Sequence, residues 1–134
     1  MMLMTHTVVT STPSDTPTPI GPYSHIARVG PWISISATAG VDPATGELAG
    51  PGVGAQTRRI LESFRVMLES AGSDLQHVIH INVFLLNMAD FAEMNLAYAE
   101  AMGPHRPART VIGVAALPKP GALLTMNLTA AAAA

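Results

Sequence analysis

Gly54-Ala55-Gln56-Thr57-Arg58-Arg59-Ile60-Leu61-Glu62-Ser63-Phe64-Arg65-Val66-Met67-Leu68-Glu69-Ser70-Ala71-Gly72 and, shortly after it, His77-Val78-Ile79-His80-Ile81-Asn82-Val83-Phe84-Leu85-Leu86 decide the fold class. In the first run Ile60, Leu61, Phe64, Met67, Leu68 and Ala71 recur with helical period and make one apolar stripe. Arg58, Glu62, Arg65 and Glu69 lie mostly outside that stripe, and Gly72 supplies the stop. In the second run the period shortens to two, which puts Ile79, Ile81, Val83 and Leu85 on one face of a strand. A helix handed directly to a half-buried strand makes the chain α+β.

Outward toward the N-terminus, Asp42-Pro43-Ala44-Thr45-Gly46 is a turn, with proline for the fixed φ and glycine for a positive one. Before it, Trp32 to Ala37 alternates, with Ile33, Ile35 and Ala37 on one face and Ser34 and Ser36 on the other. Gly30-Pro31 joins that strand to another near Ser24–Val29. Residues 5–10 suit a short edge strand, and Pro13, Pro17 and Pro19 make the following stretch an extended arm. Toward the C-terminus, Asp90 and Glu93 read as a capping box opening a second helix, with Phe91, Met94, Tyr98 and Met102 inward. Gly103-Pro104 ends it, and strands are expected over Thr110–Ala115 and Leu123–Ala130.

The order is strand, strand, helix, strand, helix, strand, strand. Right-handed crossovers send both helices to the same face of one mixed sheet. The other face stays open, with Ser34, Ser36, Thr125, Asn127 and Thr129 among its members. Residues 1–134 fit one domain, of which 1–19 are the N-terminal strand and proline-rich arm.

Hydrophobic residues make up 49% of the chain and charged residues only 12%, against ~25% in typical soluble domains. Burial of surface against other copies accounts for that poverty of charge. A net charge of −2 gives no footprint for nucleic acid, and six aromatic residues make a thin stacking platform (three Phe, two Tyr, one Trp). Cysteine is absent, which excludes thiolate chemistry and cysteine-held metals. Met1-Met2-Leu3-Met4 is too short for a signal core, and no apolar run reaches membrane-spanning length, so a cytoplasmic protein without membrane contact is expected.

His6, His25 and His105 are scattered, while His77 and His80 fall on opposite faces of a strand, so no metal is expected. Gly50-Pro51-Gly52-Val53-Gly54 matches no nucleotide fingerprint and reads as a turn. Arg109 stands apart. It heads the apolar run Val111-Ile112-Gly113-Val114-Ala115-Ala116, where a permanent guanidinium must reach water or meet an anion. A carboxylate is its natural bidentate partner, from a side chain or from a small molecule.

Ile20-Gly21-Pro22-Tyr23-Ser24, Asp42-Pro43-Ala44-Thr45-Gly46-Glu47-Leu48, Ala55-Gln56-Thr57-Arg58, Asp90-Phe91-Ala92-Glu93-Met94-Asn95, Pro107-Ala108-Arg109-Thr110 and Ala115-Ala116-Leu117-Pro118-Lys119 together resemble the Rid family. These are the reactive-intermediate (enamine/imine) deaminases, also known as the YjgF family. The likeness runs from about Ile20 to the C-terminus in order and spacing. It implies a chorismate-mutase-like α+β fold, a mixed sheet with two helices on one face, and a homotrimer with clefts between subunits. The implied reaction is hydrolysis of imines of the 2-aminoacrylate type to 2-oxo acids and ammonia, without a cofactor. Carried over by position, Arg109 would hold the substrate carboxylate, with Tyr23, Phe91, Asn95 and Ser36 around it. Two departures stand out: Ser36-Ala37-Thr38 replaces the usual Ser-Gly-Gln, and Asn127 takes the place assigned to the water-activating Glu. An amide orients water but takes no proton at neutral pH. The resemblance therefore leaves an alternative, a trimeric carboxylate-binding relative without deaminase activity. A ribonuclease role is disfavoured by the acidic balance.

Overall fold

A computed structural model describes residues 6–133. Its elements are β1 (Val9–Ser11), β2 (Ile26–Val29), β3 (Trp32–Ala39), α1 (Val53–Ser70), β4 (Val78–Leu85), α2 (Phe91–Met102), β5 (Ala108–Gly113) and β6 (Leu124–Ala131). The strands form one six-stranded sheet in the order β1-β2-β3-β6-β4-β5. Strands β3 and β4 both run antiparallel to β6, and β4 and β5 pair in parallel. Each helix thus bridges two parallel strands, and one handedness puts both on the same face, where they touch each other. Ile33, Ile35, Ile81, Val83, Met126 and Leu128 send their side chains into that layer against Ile60 and Phe64 of α1, all at most 2% exposed. Each such side chain removed from water contributes roughly 1.5–3 kcal/mol.

The periodicity reading holds for α1, β6 and the middle of β4, and breaks where the sheet carries an extra residue. Between Ile35 and Thr38 the pairing of β3 with β6 shifts by one. That bulge turns Ala37 outward and Thr38 inward, contrary to the alternation expected for Ala37. A second shift lies between Val78 and His80, so Val78 is buried while Ile79 is 43% exposed, off the expected inner face. His77 belongs to a 3-10 turn, Leu75–His77, and not to the strand.

The expected capping box also fails. The Asp90 side chain caps nothing, because a 3-10 turn over Met88–Asp90 precedes α2 and Asn87 accepts from the Ala89 amide instead. Entry through that turn leaves Phe91 37% exposed, whereas Met94, Tyr98 and Met102 face inward as expected. Strand β5 begins at Ala108, two residues early, so Arg109 lies within the strand. The first strand spans Val9–Ser11; Thr5 of the expected segment lies outside the described residues.

Gln56, fully buried on α1, is a tie that periodicity does not reveal. Its amide nitrogen donates to Gly50 and Gly121 carbonyls at 2.9 and 3.3 Å, and its oxygen accepts from the Leu123 amide at 2.9 Å. These bonds fix the loop that carries Lys119. Close by, Gly40 lets β3 run against α1, since a Cβ there would stand 2.5 Å from the Gln56 carbonyl oxygen.

Candidate active site

Beside the bulge in β3, Ser36 lines a cavity of about 500 Å³, shared with Tyr23, His25, Thr38, Lys119 and Thr125. Tyr23 is 41% exposed at the rim, where its hydroxyl accepts from the Ile20 amide at 3.3 Å. Its ring meets His25 edge-on at 6.0 Å. His25 is 2% exposed, its Nδ1 lies 3.3 Å from Ser36 Oγ, and its Nε2 bonds the Pro17 carbonyl. A carbonyl oxygen only accepts, so Nε2 carries a proton. Lys119 reaches across to the Gly46 carbonyl at 3.3 Å, joining the Leu117–Gly121 loop to the Asp42–Gly46 turn. That turn is held by the Gly46 amide on the Asp42 carbonyl at 2.8 Å, with Gly46 at φ 75°.

A second cluster surrounds Arg109. In β5 it registers beside Ile81 and so faces the helical layer. Its guanidinium carbon lies 4.7 Å from the Tyr98 ring centroid and 5.9 Å from that of Phe91. Helical spacing brings Phe91, Asn95 and Tyr98 to the same side of α2. Among the described residues the ion pairs are Arg65 with Glu62 and Glu69, and Asp74 with His77; Arg109 is in none of them. Tyr98 is 6% exposed and its hydroxyl has no partner, nor does the buried Asn95 Oδ1. Burial pushes the Tyr98 hydroxyl above its ordinary pKa, with Arg109 and Arg106 pulling the other way. The arginine therefore stacks on a neutral ring, with its donors available to an anion.

Of the residues expected at a site, Tyr23 and Ser36 share the cavity, while Phe91 and Asn95 accompany Arg109. One chain does not unite the two groups. Strands β3 and β5 are three places apart, about 14 Å at ordinary strand spacing. Asn127 belongs to neither group; its Oδ1 accepts from Asn82 Nδ2 at 2.9 Å across the β4–β6 pair. Thr125, two residues earlier on the same face of β6, lines the cavity instead. Sequence reasoning missed His25, Lys119, Thr125 and Tyr98 as site residues. Tyr98 was visible only as a member of the inner stripe of α2, Thr125 only as a member of the open sheet face and Lys119 only as the end of a family motif, and nothing local distinguishes His25. No set of three metal-ligating side chains converges among the described residues, and no helix there is long and apolar enough to cross a membrane.

Comparison with known proteins agrees with this geometry. Residues 13–132 match the family described as Endoribonuclease L-PSP. A RutC family protein of Pyrococcus horikoshii is 44% identical over 103 residues, 77% of this chain and 82% of that protein. The 2-iminobutanoate/2-iminopropanoate deaminase of Bos taurus is 38% identical over 105 residues, covering 78% and 77%. The crystal structure of the YjgF gene product from E. coli superposes with a TM-score of 0.86 at 31% identity, over 92% of this chain and 98% of that one. A mixed six-stranded sheet backed by two helices is the chorismate-mutase-like architecture, and with these matches the chain belongs to the YjgF/Rid family, whose members include proteins named as imine deaminases.

Proposed function

We propose that the protein hydrolyses small imines and enamines of the 2-aminoacrylate type to 2-oxo acids and ammonia. The reaction takes place where copies of a homotrimer bring Arg109 of one subunit to the cavity of the next. The observation that carries this reading is an arginine stacked on Tyr98 and free of any carboxylate among the described residues. A fork of donors on a partly buried strand selects a planar anion, and the substrate carboxylate fits it bidentately. Relatives named 2-iminobutanoate/2-iminopropanoate deaminase support the same substrate class.

With the carboxylate held, the imine carbon sits at a fixed distance from the Ser36 and Thr125 hydroxyls, which orient water toward it. The carbon is already electrophilic, so positioning alone removes much of the barrier and the reaction needs no cofactor. Asn95 and Phe91 border the carboxylate, and Tyr23 closes the rim of the cavity.

A second reading, a carboxylate-binding protein without hydrolysis, is favoured by one observation: among the described residues no Asp or Glu lines the cavity. Imines generated enzymatically from several amino acids decide between them. Protein-dependent acceleration of oxo-acid and ammonia release supports the deaminase. Saturable binding of the oxo acid without acceleration supports the alternative.

A further inference from the structure

Among the described residues no carboxylate lines the cavity, and His25 is the one imidazole on its wall. Nε2–H donates to the Pro17 carbonyl, which leaves the Nδ1 lone pair toward Ser36 Oγ at 3.3 Å. The backbone beneath the ring is fixed as well, its amide donating to Thr12 Oγ1 at 3.1 Å and its carbonyl accepting from the Ser36 amide at 3.0 Å, and Tyr23 abuts the ring edge-on. This is a serine hydroxyl facing a cavity, an imidazole behind it, and a carbonyl fixing the imidazole.

We infer that Ser36 and His25 form a proton relay that activates the attacking water. This inference rests on the imine-hydrolysis reading and deepens it. Water oxygen bonds to the carbon of the protonated imine, and the C=N π pair moves to nitrogen, giving a carbinolamine. The water proton passes to Ser36 Oγ as the Ser36 proton passes to His25 Nδ1, leaving an imidazolium. The imidazolium returns its proton through Ser36 to the amine nitrogen. The C–N bond then breaks, an oxygen lone pair closes the C=O bond, and the released ammonia takes the remaining hydroxyl proton. Water and the protonated imine are consumed; oxo acid and ammonium are formed. Ser36 is the catalytic residue that touches the water, and His25 acts through it. Lys119 is engaged as a donor to the Gly46 carbonyl.

His25→Gln separates basicity from architecture, because its amide reproduces one donor and one acceptor without accepting a proton at neutral pH. Steady-state hydrolysis of enzymatically generated imines should show kcat lowered about 10²-fold with KM little changed. His25→Ala should lose the same rate and regain part of it with millimolar imidazole, a rescue that a structural role does not give. Ser36→Ala should match His25→Gln, and the double variant should be no slower than either. If the wild type accelerates hydrolysis and His25→Gln keeps its kcat, the relay is overturned and the deaminase stands. If the wild type accelerates nothing, both fall.

Discussion

Arg109 is the residue on which the proposed function most depends, and its environment makes its loss predictable. Removal of one partner from a charge-assisted bidentate pair in a desolvated cleft costs roughly 2–5 kcal/mol. Arg109→Ala should therefore abolish calorimetric binding of small 2-oxo acids without unfolding the protein; unchanged affinity would make the arginine structural. Arg109→Lys keeps the charge and loses the fork, so its affinity should fall between the two. The arginine was legible in sequence because a permanent charge heading an apolar run must reach water or meet an anion, and the family resemblance selects the anion. His25 was not, because the carbonyl of Pro17 and the hydroxyl of Ser36 that give it meaning lie 8 and 11 residues away. Asn127 was read by resemblance as the water-orienting position, yet its oxygen already serves Asn82. A carboxylate grafted at Thr125 reaches the cavity, whereas one at Asn127 meets that amide. Of Thr125→Glu and Asn127→Glu, only the first should raise kcat, by some fraction of the ~10²–10⁴ typical of general-base assistance.

At the scale of elements, α1 and the core stripes of β3, β4 and β6 were readable because one period persists over several turns or pleats. Bulges defeat that reading, since one inserted residue inverts the phase of everything beyond it. The bulge beside Ser36 and the one at Ile79 leave no local mark in composition, and both decide which side chains reach the surface. The junction of β3 with α1 is tighter than any pattern suggests. Gly40→Ala would press a methyl onto the Gln56 backbone, with contacts of 2.5 Å to the carbonyl oxygen and 2.7 Å to Cα. Separation of the strand from the helix should cost at least the roughly 1–3 kcal/mol of ordinary overpacking, read as a lowered denaturant midpoint. Gln56→Leu strands three backbone groups that the amide now satisfies, at roughly 1–3 kcal/mol for each one left buried without a partner. It should also loosen the Lys119 loop, seen as faster amide exchange around Gly121 and Leu123.

For the whole molecule, the placement of both helices on one face followed from handedness alone, and the structure agrees. The distance between Arg109 and Ser36 did not follow, because strand order, not sequence order, sets them apart. Light scattering at micromolar concentration should give three times the 13.9 kDa chain mass, and a monomer would remove the proposed cleft. The separation of the two clusters across the sheet has a genetic counterpart. An Arg109→Ala subunit keeps an intact cavity, and a Ser36→Ala subunit keeps an intact arginine. Each homotrimer is impaired, but unfolding the two together and refolding them as a mixture places a good arginine beside a good cavity at one cleft of every mixed trimer. Activity should reappear from two defective parents, which is interallelic complementation, and a site contained within one chain would never show it.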